Sequence, residues 1–368
     1  MTPPLYDVAV VGGGPAGSAA ALALRRHSPD LTVVMLEAGD HRGLKAGEVL
    51  PALAAPLLDS LGLGAKFAAE AFTPSLATAS AWAGESLAER HSLFSAAGHG
   101  WHLDRARFDR LLADGAAAAG VDLRRGWPVA GAAATPFGWR LRSAGGAVLD
   151  ARLLIWATGR SWRLARSLGA GVTAHDRRAA FLRFFADAAA DGRTLIEARP
   201  EGWWYTADLP GRQRVIACIS DAASARAARL RSACGWYGAL AATRHVRAVL
   251  GDGAVELGAA ARPAGTVTLA PVCGPGWFAA GDTAFAADPL SSRGLVAALR
   301  SGIFAAYAAA DACEGRGRQA EARYAWLLAQ DLAQYRDALR RHYAEAADHA
   351  DQPFWRVAAE EIGPVRHE

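Results

Sequence analysis

Two glycine-rich turns stand almost the whole chain apart: Gly12-Gly13-Gly14-Pro15-Ala16-Gly17 near the start and Gly281-Asp282 late. The first has the GxGxxG spacing, and its chemistry is that of phosphate binding. Gly12 permits a tight turn, Gly14 lets backbone approach a pyrophosphate, and Gly17 lets a helix pack on a strand. The N-terminus of the helix that follows offers unpaired N–H groups and a partial positive charge. Glu37, beside Ala38, follows about 20 residues later, the spacing at which a carboxylate accepts ribose hydroxyls. Gly281-Asp282 suits the other end of the same ligand. Together the two turns indicate a dinucleotide with a flavin at its second end, and hence redox chemistry.

Such turns need strands before them and helices after them. Tyr6–Val11 is a β-branched run fit for a buried parallel strand, and Ser18–Arg26 reads as an Ala/Leu-rich helix. Leu31–Leu36 reads as the second strand, ending at Glu37. Val49–Leu63 reads as a helix, Phe72–Phe94 as extended or irregular chain, and Arg105–Ala119 as an amphipathic helix capped by Asp104. Strands follow at Val121–Arg125, Trp139–Arg142 and Val148–Ala157, and 180–220 alternates as antiparallel sheet does. Val267–Ala270 and Trp277–Ala280 return to apolar strands, and the chain is mostly helical from Gly294. The expected class is therefore α/β. Residues 1–72, 95–175 and 265–310 form a discontinuous nucleotide-binding domain of Rossmann type. Residues 73–94 and 176–264 form an inserted antiparallel substrate sheet, and 311–368 a helical C-terminal segment.

With 368 residues, 52% of them hydrophobic and 21% charged, the chain has the composition of a globular protein with a substantial core. No uninterrupted apolar run reaches the roughly 20 residues that span a bilayer. Asp7 and the Gly/Pro turn interrupt the apolar N-terminus and no basic segment precedes it, which argues against a signal peptide. Cys218, Cys234, Cys273 and Cys313 are far apart with no CxxC pair. That argues against a metal site or a disulfide framework and favours a cytoplasmic setting. The net charge is +4, Lys45 and Lys66 are the only lysines, and alanines break up the cluster of Arg226, Arg229 and Arg231, which forms no continuous basic run. A solvated helix face explains that cluster better than nucleic-acid binding.

Further segments carry a family resemblance. Ala157-Thr158-Gly159, after the strand Leu153–Trp156, resembles the ATG turn that passes close to the dinucleotide in flavoproteins. Arg105-Ala106-Arg107-Phe108-Asp109 resembles the R-x-x-F-D helix start of flavin hydroxylases, in which the first arginine reaches the cofactor. Asp282 resembles the aspartate that holds the ribityl chain of FAD. Asp288-Pro289-Leu290-Ser291-Ser292-Arg293-Gly294 resembles the loop whose backbone passes the isoalloxazine, with a helix N-terminus facing the ring. In this order the segments resemble the FAD-dependent hydroxylase superfamily, which includes p-hydroxybenzoate hydroxylase, geranylgeranyl reductases and flavin-dependent halogenases. Lys45–Pro51 is similar to the halogenase-type GES-x-x-P segment, without its serine and one residue shorter. Ser80–Ala83, Gly100–Arg105, Gly202–Tyr205, Asp288–Ser292 and Asp351–Trp355 are similar to the flavoprotein maturases of quinone-cofactor oxidases and amine dehydrogenases, which hydroxylate a tryptophan within a protein.

The resemblance implies a p-hydroxybenzoate hydroxylase-type fold holding FAD at Gly12, Gly14, Ala16, Gly17, Glu37, Ala38, Lys45 and Arg105. Thr158, Gly159, Gly281, Asp282, Pro289, Ser292 and Gly294 complete that set. It implies a monooxygenase that hydroxylates an electron-rich aromatic substrate through a flavin C4a-hydroperoxide, with a free aromatic molecule or a tryptophan-containing peptide or protein as substrate. Trp82, Trp203, Trp204 and Tyr205 are the expected substrate platform, and His102 and Glu48 the expected acid/base groups. No second GxGxxG with a following acid is present, so electrons come from transiently bound NAD(P)H or a separate flavin reductase. Phe72–Ala77 lacks the lysine a halogenase needs, Trp203–Asp208 replaces its W-x-W-x-I-P signature, and Arg293 stands where the maturases have glutamine. A geranylgeranyl-type reductase and a non-catalytic flavin-binding escort, docked through Phe354-Trp355, are the alternatives. Oligomeric state stays open.

Overall fold

The computed structural model describes residues 5–43, 45, 49–187, 190–251 and 253–361. The chain opens with β1 (Leu5–Val11), α1 (Pro15–His27) and β2 (Val33–Glu37), and then visits a second sheet through β3 (Ala77–Ala81). It returns through α2 (Arg105–Ala118), β4 (Asp122–Arg125) and β5 (Val148–Trp156). Next come β6 (Ala179–Ala186), β7 (Arg193–Arg199), β8 (Gly202–Leu209), β9 (Gln213–Ser220) and β10 (Val255–Pro263). Strand β11 (Trp277–Ala279) leads into α3 (Gly294–Cys313), α4 (Gly317–Ala344) and α5 (Pro353–Glu361).

Strands β11, β5, β1, β2 and β4 are neighbours in that order, all parallel. An antiparallel hairpin, Val129–Thr135 with Gly138–Ser143, extends from β5. Val8, Ala9 and Val10 are fully buried, as a central parallel strand covered on both faces requires. From β1 the order runs to β2 on one side and β5 on the other, which makes the carboxyl end of β1 a switch point. Three backbone hydrogen bonds align the strand ends there: Gly12 to Leu36 at 2.8 Å, Ala157 to Val11 at 2.8 Å and Ala280 to Trp156 at 2.8 Å. The two glycine-rich turns, 269 residues apart by the difference of 281 and 12, thus meet at the carboxyl ends of the parallel strands. The structure is the mixed α/β fold expected.

The second sheet runs β10-β6-β9-β8-β7-β3 and ends on Ala88–His91; only the β7–β3 pair is parallel. One face packs against α4 and α5, and the other against the helices Ala222–Ala227 and Ala233–Ala241. Phe354 and Trp355 are buried in the first of these cores, Trp355 donating from Nε1 to the Arg199 carbonyl at 2.8 Å. They are therefore sheet-packing residues and offer no surface for docking an escorted protein.

Val49–Leu63 is not one helix. Val49–Leu50 pairs with Trp101–His102, Pro51 then lacks the N–H a helix interior needs, and the helix starts only at Ala55. Helix α3 is long and apolar enough to cross a bilayer, with mean hydropathy 1.3, but 61% of that stretch is buried inside the protein. It packs on α1, where a Cβ at Gly302 would come within 2.2 Å of the Ala16 carbonyl oxygen.

Candidate functional site

The nucleotide cradle follows from backbone demands. Gly12 has φ +108°, and a Cβ there would meet the Ala157 carbonyl oxygen at 2.2 Å. A Cβ at Gly17 would meet the Gly12 carbonyl oxygen at 1.8 Å, so Gly17 is the close helix–strand contact and lies outside the cavity lining. At Gly14, Gly159 and Gly294 a Cβ would meet nothing within 4 Å, because each faces open space. The N-cap of α1, Gly14, brings no side-chain cap, which leaves the first N–H groups available to a ligand. The Glu37 carboxylate accepts from the Gly13 N–H at 2.6 Å and the Gly39 N–H at 2.7 Å, tying the end of β2 to the turn.

These residues frame a cavity of about 650 Å³ between the parallel strands and the second sheet. Of the sequence-expected cofactor residues, Gly12, Gly14, Ala16, Glu37, Ala38, Lys45 and Arg105 line it. Thr158, Gly159, Gly281, Asp282, Pro289, Ser292 and Gly294 do so as well. Asp109, buried on α2, accepts from Lys45 Nζ at 2.9 Å and Arg105 Nε at 3.1 Å, which aims both cations along one wall. Arg160 donates to the Gly265 and Ala287 carbonyls at 2.7 and 2.9 Å and lies 3.4 Å from Asp282. Desolvation pushes the Asp282 carboxyl up, against the opposing pull of Arg160 and Arg105. Four cations (Lys45, Arg105, Arg160, Arg163) face three acids (Glu37, Asp109, Asp282) around the lining, an excess of positive charge that suits a diphosphate.

The opposite wall is one face of the second sheet, built from two cross-strand rows. Ala180, Ile219 and Trp203 lie side by side in the first, and Leu182, Ala217, Tyr205 and Ile196 in the second. Because side chains alternate along a strand, Trp204 points the other way. It is fully buried against Trp236, with ring centroids 5.3 Å apart, and donates from Nε1 to Glu201 at 2.8 Å. Trp204 is thus a core residue and no part of the platform. Trp82 lies on the same face as Trp203 but outside the cavity lining, tucked under α4, its ring 6.3 Å from that of Trp203 and its Nε1 donating to the His342 carbonyl at 2.6 Å.

His102 does not reach the cavity either. Its strand pairs with Val49–Leu50 and Thr73–Ser75, and the fully buried ring turns toward Thr194, with Nε2 3.0 Å from Oγ1. Burial, aided by the Arg214 charge, pushes its pKa down to about 4, so it is neutral at physiological pH. A neutral, enclosed imidazole is a packing group, and the acid/base role expected for it is withdrawn. Glu48 lies outside the described residues. Sequence reading missed Arg160, Arg163 and Trp127–Val129, and the small apolar members of the sheet rows. Strand alternation around Trp203 was the available signal for those rows. Among the described residues no cluster of three or more His, Cys, Asp or Glu side chains is arranged to hold a metal ion.

Comparison with known proteins agrees with this geometry. The profile of a family described as FAD binding domain matches residues 5–231. The chain is 28% identical over 360 residues to LodB of Marinomonas mediterranea, an inferred FAD-dependent oxidoreductase, covering 95% of this chain and 96% of that one. The fold superposes on the myxobacterial chondrochloren halogenase CndH with a TM-score of 0.88 at 20% identity, covering 100% of this chain and 87% of that one. The peptidyl tryptophan dihydroxylase QhpG gives a TM-score of 0.74 at 25% identity, covering 96% of this chain and 79% of that one.

Proposed function

The chain belongs to the FAD-binding-domain family, and from that premise we propose that it is an FAD-dependent monooxygenase acting on an electron-rich aromatic group, a tryptophan side chain in a peptide or protein being the substrate that fits best. The cradle fits FAD: Gly14, Gly159 and Gly294 face open space where a Cβ would intrude, and Glu37 stands where a ribose needs an acceptor. When bound, FAD supplies the redox and oxygen-activating chemistry. The chain supplies orientation and dryness. Gly12–Ala16 and the N-terminus of α1 hold the diphosphate, Lys45, Arg105 and Arg160 balance its charge, and Pro289–Gly294 passes the ring.

The observation that carries the reading is the sheet wall: Trp203 and Tyr205 among Ile196, Leu182, Ala217 and Ile219, aromatic and apolar, facing the cradle across one cavity. Such a wall stacks an aromatic ring and excludes water from the reacting atoms. Similarity to QhpG, which acts on peptidyl tryptophan, supports a protein-borne substrate. Similarity to CndH raises halogenation, against which stands the distribution of the two lysines. Lys45 is bonded to Asp109 on the cradle side, and Lys66 is exposed on the helix Gly64–Ala69. Electrons come from NAD(P)H or a partner reductase, because the chain carries one GxGxxG turn.

The test is to reduce the flavoprotein anaerobically, add isotopically labelled dioxygen with tryptophan-containing peptides and chloride or bromide, and identify the products by mass spectrometry. Labelled oxygen in the peptide is the expected result. A halogenated product would move the protein to the halogenases, and saturation of an isoprenoid without oxygen to the reductases.

A further inference from the structure

We propose that Tyr343, on α4 and outside the cavity lining, is the positioning residue that ties the substrate wall to the flavin-facing loop. Its hydroxyl accepts from Trp203 Nε1 at 3.2 Å and donates to Asp288 Oδ2 at 2.9 Å. Trp203 belongs to the sheet wall, and Asp288 opens the turn whose Pro289 and Ser292 line the cradle side. One phenol therefore bridges the two sides between which the flavin and the substrate ring must fit. The inference rests on the FAD reading of the cavity.

The surroundings leave Tyr343 little freedom. Asp288 is fully buried; its Oδ1 accepts from the Leu290 N–H at 2.9 Å, and its Oδ2 also accepts from Arg178 Nη1 at 3.1 Å. Arg178 lies 4.8 Å from the centre of the Tyr343 ring and donates to Glu361 on α5 at 3.1 Å. The Asp288 N–H donates to Tyr335 at 2.8 Å, and Tyr335 meets Thr266 Oγ1 at 2.7 Å, while the Thr266 N–H donates to Asp176 at 2.8 Å. Asp176–Arg178 and Thr266 lie on the two segments by which the chain enters β6 and leaves β10. The C-terminal helices thus lock the crossings between the sheets to the Asp288 turn. Without the Tyr343 hydroxyl, the Trp203 indole N–H would lose its bond and Asp288 one of its donors, inside a core that water does not reach.

Tyr343→Phe keeps the ring packing and removes only the bridge. FAD affinity of the apoprotein, measured by quenching of flavin fluorescence, should fall roughly threefold to tenfold, the effect of one buried hydrogen bond. The visible circular dichroism of the bound flavin should change with it. Trp203→Phe breaks the same bond from its other end, so the affinity loss of the double variant should be smaller than the sum of the two. It also reports on the bond if Tyr343→Phe does not fold. Trp355→Phe perturbs the same aromatic core without touching this bond, and should lower thermal stability while leaving FAD affinity and the flavin spectrum as in the wild type. Tyr343→Phe behaving like Trp355→Phe, or additive losses in the double variant, would overturn the bridge while leaving the FAD site intact. Failure of the wild-type apoprotein to bind FAD would overturn the site reading, and the bridge with it.

Discussion

Replacing His102 by Gln separates a packing role from a chemical one. The ring is fully buried, and its pKa is pushed from an ordinary 6.5 down to about 4 by desolvation, with Arg214 adding to the effect and Asp191 opposing it. The folded state therefore resists protonation that the unfolded chain accepts freely. Above pH 6.5 neither state binds the proton and the residue adds no pH dependence; as pH falls from 6.5 toward 4, the unfolded chain is favoured. A gap of about 2.5 units corresponds to roughly 3 kcal/mol, fully expressed near the folded pKa. Glutamine retains a polar group facing Thr194 and does not titrate. Urea unfolding of both proteins between pH 4 and 8 should show the wild type losing this increment relative to His102→Gln, the two curves becoming parallel above pH 6.5. FAD content and turnover at neutral pH should be retained, because His102 lies outside the cavity lining. A stability difference independent of pH, or a variant that folds and binds FAD yet does not turn over, would refute the reasoning.

Four further variants test the geometry. Trp204→Ala should lose about 3–5 kcal/mol of stability in urea unfolding, as large core truncations do, whereas Trp203→Phe should weaken turnover of a tryptophan-containing peptide in addition to its effect on FAD affinity. Gly12→Ala places a Cβ 2.2 Å from the Ala157 carbonyl oxygen at φ +108°, and the purified protein should be isolated without FAD, as its visible spectrum will show. Glu37→Ala removes the acceptor of the Gly13 and Gly39 N–H groups, and FAD titration should show binding weaker by roughly tenfold to a hundredfold.

What the sequence by itself determined is local. Gly12, Gly14 and Gly17 answer demands of a turn and of one helix–strand contact, Asp104 caps the helix it precedes, and Glu37 reaches only across to the turn of the same βαβ unit, so their residue types and spacing declare them. Gly281-Asp282 was legible for the same reason, although its meeting with Gly12 needed the aligned ends of β1, β5 and β11. Trp204 was legible in principle as well: strand alternation separates it from Trp203 and Tyr205, and reading the three as one platform overlooked that period.

Other placements belong to tertiary structure alone. His102 became a packing residue only because Thr194, 92 positions later, closes over it. Trp82 sits beside the cavity and outside its lining because α4 covers it and supplies its hydrogen-bond partner, 260 positions away. The Trp203–Tyr343–Asp288 bridge joins a strand, a helix and a turn through side chains 140 and 55 positions apart. Turn geometry and strand period are set by neighbours in the chain. Which side chain is desolvated, and which partner meets it, is set by the packing of one sheet against helices that come much later.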